Sequence, residues 1–325
     1  VVAVSGEVPP VSKGEITEDD VFRSFFGGYW VKKGDTKKQE ECKELISRYL
    51  VQEIAKHKCS DAYNVLILHD TSTLVRSDAD RIYNSVTAFS DKAKPTLLVV
   101  YSSGGLMDSA YFIGQLCREF SNGKFIVVVP RFAKSAATLL SCAANEIHMG
   151  SLSELGPIDP QINQGTSEKP SFVPALGLKQ AVEHIAKLVG ATPDASEMFA
   201  RYLHLSLKLI DLGRYERIAE SAEQYAERLL ESHKNDLARP PKEIAHTLVH
   251  EYKDHGFVID KKEAEKIFGN SVIKSDTDEY RLGNAIYKIL SKLDSWADLC
   301  NSTAFFIGSP TTEPEIKKRP DYSNN

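Results

Sequence analysis

Two short, wholly apolar runs, LLVVY at 97–101 and FIVVV at 125–129, each break into a turn of small residues and then into a helical pattern. Runs of this length bounded by turns read as buried strands. Strand, turn and helix in alternation imply parallel pairing through right-handed crossovers. The first turn holds Gly104-Gly105 and the second holds Ser135. A glycine pair brings backbone close to a ligand with no Cβ in the way. Free N–H groups at a helix start favour developing negative charge. A serine at the mouth of the second helix is placed to attack. Together the turns read as an oxyanion hole beside a nucleophile.

The pattern continues on both sides. Charged and apolar residues alternate at helical spacing over 35–56, NVLILH (64–69) is a strand, and 78–89 is a helix. Ala110, Ile113, Cys117 and Phe120 give one buried helical face. A short helix rich in small residues spans 136–144, and 146–149 is a further strand. Residues 175–235 change to long helical patterns with little strand propensity. A helix at 263–268 and a last amphipathic helix at 278–300 follow. Residues 1–17 read as an unstructured leader, and the proline-rich, charged stretch 309–325 reads as a disordered tail.

Composition narrows the function classes. The net charge of -5 gives no electrostatic reason to expect nucleic acid, and KKR at 317–319 is too short to argue for it. Five cysteines without CxxC spacing favour a reducing compartment over a disulfide framework, so a cytoplasmic location is expected. No run reaches the roughly 18–20 apolar residues of a membrane span. The N-terminal VVAVSGEVPPV lacks the layout of a signal peptide. The chain begins at Val1, so these readings concern this sequence alone, and membrane association of a longer protein is left open. No GxGxxG joins a strand to a helix, and no cofactor is expected. His148 and Cys142 have no second ligand pair at metal spacing, and His246 and His250 stand at i, i+4 without HExxH. These histidines read as structural, and no metal is expected.

Four motifs, SSGG at 102–105, AKSAAT at 133–138, AANEI at 143–147 and LGPIDPQ at 155–161, follow one another in fixed order. With them, segment 65–162 resembles the Clp protease, signal peptide peptidase and crotonase superfamily, and within it the serine dehydrogenase proteinases. HGFVIDKKEAEKIFG (255–269) is similar to the segment that closes the core in these families. The resemblance implies a ClpP/crotonase-like α/β fold, a spiral core of parallel strands over 18–308 with a helical insertion at about 170–250. It implies Ser135 as nucleophile, with the amides of Gly104 or Gly105 and of Ala136 holding the oxyanion. The chain departs from the family at Ser103, where a proline is usual, and at Lys134 and Ala136-Ala137 around the nucleophile.

A serine hydroxyl needs a base within hydrogen-bond reach. Where the Clp proteases carry their histidine, 157–161 offers Asp159 and no histidine. Signal peptide peptidases use a lysine of lowered pKa, which on this chain points to Lys179 and Lys187, two turns apart on one helix. Asp159 reads as a turn former. His250 and His255 fall where the Clp family carries its acidic triad member and read as structural. The expectation is therefore a serine peptidase of Ser-Lys type acting on peptide or protein substrates, assembled as a homo-oligomer. A crotonase-like acyl hydrolase or thioesterase, or a non-catalytic oligomeric scaffold of the same fold, are the alternatives.

Overall fold

A computed structural model describes residues 14–30, 35–163, 165, 171–206 and 209–319. In chain order the elements are α1 (Glu18–Tyr29), α2 (Thr36–Ala55), β1 (Asn64–Asp70), α3 (Arg76–Thr87), β2 (Thr96–Ser102), α4 (Met107–Glu119), β3 (Phe125–Val129), β4 (Phe132–Ala133) and α5 (Ala136–Ser141). They continue with β5 (Glu146–Met149), β6 (Glu154–Leu155), β7 (Gln161–Asn163), β8 (Phe172–Pro174), α6 (Gly177–Ala191), α7 (Ser196–Ser206), α8 (Leu209–Glu231) and α9 (Pro241–His246). Last come β9 (Ile259–Asp260), α10 (Lys261–Phe268), β10 (Ile273–Lys274), α11 (Asp278–Leu299), β11 (Ser302–Gly308) and β12 (Glu315–Lys318).

The main sheet runs β10-β5-β3-β2-β1-β11-β12. From β10 to β1 every pairing is parallel, as alternating strands and helices require. The apolar runs are continuous because each strand is covered on both faces. Leu66, Leu68, Leu98, Val100 and Val127 point into one core, with α3, α4, α5 and α8. Val65, Ile67, Leu97, Val99 and Val128 point into a second core, under α1, α2 and α11. Cys117 and Cys142 are fully buried and all five cysteines are free, so they serve as small apolar residues.

Three segments differ from the sequence expectation. The stretch after Ser309, read as a disordered tail, is folded: β12 pairs antiparallel with β11, which pairs antiparallel with β1. The Ser47 hydroxyl donates to the Thr312 carbonyl (2.6 Å), and Arg81 ion-pairs with both Asp78 and Glu315. The charges that suggested disorder lie on the edge strand β12, where they are tolerated, and Pro310 and Pro314 lie in the turn that leads into it. The leader expectation also fails at its end. Ile16 is buried, its backbone is held at both ends by the Gln52 side chain (2.8 Å each), and Thr17 caps α1. Residues 1–13 and 320–325 lie outside the described residues.

A smaller three-stranded layer, β4-β6-β9, hangs from the end of β2, where Ser102 pairs with Ala133. β6 runs parallel to β4 (Ala133 beside Leu155) and antiparallel to β9 (Leu155 beside Ile259). The C-terminal ends of β4 and β6 and the N-terminal end of β9 therefore lie along one edge.

Candidate active site

Two turns meet at that edge. The Lys134 amide donates to the Ser102 carbonyl (3.0 Å), which ties the approach to Ser135 to the strand that runs into the glycine turn. A Cβ on Gly104 would stand 2.6 Å from the Lys134 carbonyl oxygen, 2.8 Å from the Ala136 nitrogen and 3.0 Å from the Ser135 Cβ. Gly104 has φ +93°, so glycine is demanded twice, by conformation and by space. At Gly105 a Cβ would overlap the Leu74 nitrogen at 2.3 Å. Leu74 brackets the turn by donating to the Gly104 carbonyl and accepting from the Leu106 amide (2.9 Å each).

Ser135 sits at the N-cap of α5 with φ 52° and ψ -118°, a backbone state that costs of order 1–3 kcal/mol in a non-glycine residue. Its hydroxyl makes no capping hydrogen bond. The simple capping role that a serine at a helix start would suggest is thus not taken up. The residue is 9% exposed, and its oxygen is not among the buried polar atoms left without a partner. The strained turn thus presents a hydroxyl with no hydrogen-bond partner among the described residues at the start of a helix, and such a hydroxyl becomes a nucleophile only when a base reaches it.

Of the three expected oxyanion donors, one is already engaged: the Gly104 N–H donates to Ser102 Oγ (3.1 Å). Among the described residues the N–H groups of Gly105 and Ala136 have no acceptor. Gly104, beside Gly105, packs against the Ala136 nitrogen, and Ala136 opens α5, where the helix leaves its first amides free.

The expected bases do not join them. Lys179 on α6 is half-exposed and paired with Glu216 on α8 at 2.9 Å. The hydrogen bond that it donates to Glu216 raises its pKa, the opposite of what a general base needs. Lys187 is exposed on the same helix. No hydrogen bond or ion pair links either lysine to Ser135 among the described residues. Lys134 turns away from its neighbour: its Nζ donates to the Leu155 and Phe257 carbonyls (3.2 and 3.3 Å) and pairs with Glu154. His148 is bound to Thr277 and Glu146, in the sheet.

Two other groups flank the β6–β9 pair. Asp159 follows β6, and His255 precedes β9. Asp159 Oδ2 lies 3.8 Å from His255 Nδ1 and accepts a hydrogen bond from Gln161 (2.9 Å). Asp159 Oδ1 and His255 Nδ1 are both buried without a partner, an uncommon state for polar atoms. Burial raises the Asp159 pKa, and the neighbouring His255 opposes the rise. Sequence reading had both residues in view but not together, since 95 positions of chain separate them (255 − 159 = 96 steps). The antiparallel register of β6 and β9 was the missing link.

Comparison with known proteins follows from this geometry. Residues 63–196 match the family described as ClpP-like SDH-type serine proteinase. The resemblance read in the motifs is shown. The match spans both turns, Ser135 and Asp159, and stops before His255. The uncharacterized protein MJ0137 of Methanocaldococcus jannaschii is 35% identical over 104 residues, 32% of this chain and 35% of that protein. A second uncharacterized protein of that organism, MJ1495, is 36% identical over 70 residues, 22% of this chain and 24% of that protein. The matches thus span about a third or less of these relatives. Two solved structures are also similar, both mutants of the 1510-N membrane-bound stomatin-specific protease. One, with a serine changed to alanine, aligns with TM-score 0.42 at 14% identity, over 79% of this chain and 96% of that one. The other, with a lysine changed to alanine and a bound substrate peptide, aligns with TM-score 0.42 at 15% identity, over 81% and 94%. No described helix of this chain is long and apolar enough to cross a membrane.

Proposed function

We propose that the chain is a serine peptidase in which Ser135 attacks the scissile carbonyl and the Gly105 and Ala136 amides hold the tetrahedral oxyanion. The observation that supports this reading is the close packing of the glycine turn against a strained Ser135, with the built Cβ of Gly104 only 2.8 Å from the Ala136 nitrogen and 3.0 Å from the Ser135 Cβ. Donors fixed before the reaction need no reorganisation when charge develops, and losing one costs about 10²–10³-fold in kcat.

His255 is the proton acceptor in this proposal, replacing Lys179 and Lys187. Its Nδ1 lies 3.8 Å from Asp159, which leaves Nε2 as the nitrogen to take the serine proton. The His255–Asp159 distance of 3.8 Å closes to a hydrogen bond when the imidazole takes the serine proton, since charge strengthens the pair. Asp159 thereby orients the ring and stabilises the imidazolium. The substrate is a peptide or protein segment laid along the open edge of the β4-β6-β9 layer. A homo-oligomer forms through the helical insertion, where α6 buries none of its side chains and Leu188, Met198, Tyr202 and Leu205 are exposed.

The test is fluorophosphonate labelling and casein or peptide hydrolysis by the wild type and by Ser135→Ala, His255→Ala, Asp159→Asn and Lys179→Ala. Labelling lost in Ser135→Ala, activity lowered by about 10²–10⁴-fold in His255→Ala, and little change in Lys179→Ala support the reading. Full labelling of Ser135→Ala would end the nucleophile assignment. A dead Lys179→Ala beside an active His255→Ala would return the base to the lysine.

A further inference from the structure

On the far side of the helical insertion, three side chains point at one spot. Glu223 rises from the middle of α8, His246 closes α9, and His250 lies in the π-helical turn Thr247–Glu251 that follows. One ligand atom from each lies within 4.8 Å of the other two. His250 Nε2 is 2.9 Å from Glu223 Oε2, His246 Nδ1 is 3.5 Å from Glu223 Oε1, and the two imidazoles stack with centroids 4.6 Å apart. Glu223 and His250 are mostly buried, and His246 is half-exposed.

We propose that Glu223, His246 and His250 form a divalent metal site that takes Zn²⁺, contrary to the sequence expectation that these histidines are structural. Two imidazoles and one carboxylate are a ligand set that zinc accepts, with a fourth position left for water or another donor. The three groups are poorly matched as a purely hydrogen-bonded cluster. One carboxylate meets two stacked imidazoles, and only His250 reaches it at full hydrogen-bond length. A cation coordinated by neutral imidazoles satisfies all three at once. The π-turn is a second, independent sign. Such turns are rare and frequent at functional sites, and this one carries His250 toward Glu223. The site opens on a cleft of about 500 Å³ that is also lined by Arg239, Lys242, Glu243 and Glu251. The cationic Arg239 on the same rim is already engaged with Thr247 and Glu243.

The site clasps α8 to the 241–251 segment. That segment supplies the Leu248 carbonyl that accepts from Ile158, next to Asp159, and leads directly into His255. A bound ion therefore stiffens the wall of the proposed peptidase site without touching substrate.

The experiment is Zn²⁺ titration of the metal-free full chain by calorimetry, with Co²⁺ absorption as a spectroscopic report of coordination and thermal melting as the stability readout. One ion per chain is expected, with Tm raised by about 3–5 °C at a hundredfold excess over Kd. Glu223→Gln and His250→Asn should each weaken binding by more than about tenfold. Circular dichroism of the metal-free variants checks the fold. His246→Asn, at a half-exposed position, is the variant least able to unfold the chain and should lose affinity as well. Absence of stoichiometric binding overturns the proposal. So does binding unchanged by Glu223→Gln, which would leave only two neighbouring histidines acting as a casual chelate. None of these readouts depends on peptidase activity.

Discussion

Replacing Gly104 with alanine separates backbone strain from crowding at the junction of the two turns, because Gly123 provides the control. Gly123 has φ +78° and nothing within 4 Å of a built Cβ, so Gly123→Ala feels the positive φ alone. That term is about 1–2 kcal/mol. Gly104 has a similar φ of +93°, but its Cβ would overlap the Lys134 carbonyl at 2.6 Å and the Ala136 nitrogen at 2.8 Å. Both partners are backbone atoms of the Ser135 turn. Neither can swing aside as a side chain would, because Lys134 is bonded to Ser102 and Ala136 starts a fully buried helix. Forcing a methyl into such a place adds about 1–3 kcal/mol. The expected loss for Gly104→Ala is therefore about 2–5 kcal/mol, against about 1–2 kcal/mol for Gly123→Ala. Urea denaturation followed by far-ultraviolet circular dichroism measures both, provided the slope m is unchanged between the two. If the two variants fell within about 0.5 kcal/mol of each other, the turns would not be in contact as described, and the proposed oxyanion site would go with them.

Other expectations follow from the same geometry. Ser135→Gly should raise stability by about 1 kcal/mol by relieving the φ of 52°, and it should abolish fluorophosphonate labelling; a destabilised Ser135→Gly would show that the turn is unstrained. Burial pushes the Glu146 carboxyl up, but the hydrogen bonds from His148 and Lys124 outweigh it and hold its pKa at about 2. The folded value lies below the ordinary one, so Glu146 stabilises the fold above about pH 4.5 and loses that contribution as pH falls toward 2. Glu146→Gln should flatten this acid limb in melts taken between those values, and an unchanged limb would assign it to other carboxylates. Asp159 has the opposite sign. Its pKa is raised by burial, so the ionised carboxylate costs stability as pH rises past the ordinary aspartate value. Asp159→Asn should leave the fold as stable or more so at neutral pH while activity falls; a large destabilisation there would make Asp159 a structural anchor.

The core of the fold was legible because its strands are short and their signal is strong. A five-residue run such as FIVVV with no polar interruption can only be buried on both faces, and the structure divides its side chains between two separate cores. What escaped was whatever long-range pairing decides. The sequence of β11, STAFFIG, lies just past a long helix and was read into no element. It is a strand because the free edge of β1 accepts it antiparallel. β12 carries Glu315, Lys317 and Lys318, whose charges suit a solvent-facing edge and equally suit a disordered tail. Local composition does not distinguish the two cases.

The site divides along the same line. Ser135 and the diglycine turn were readable because each lies at the end of its own strand, and parallel neighbours end at the same edge. The proposed base was less readable, because selection by distance along the chain pointed to Lys179, which in the fold pairs with Glu216. Position along the chain is a poor guide when the partner arrives from an antiparallel strand. β9 enters the β4-β6-β9 layer from the opposite direction, so the residue that reaches the active edge is the one preceding the strand. His255 stands four residues before Ile259, and Asp159 four residues after Leu155, its cross-strand partner. This symmetry about the β6–β9 pair brings an imidazole and a carboxylate to 3.8 Å although the chain exchanges the usual order of acid and base.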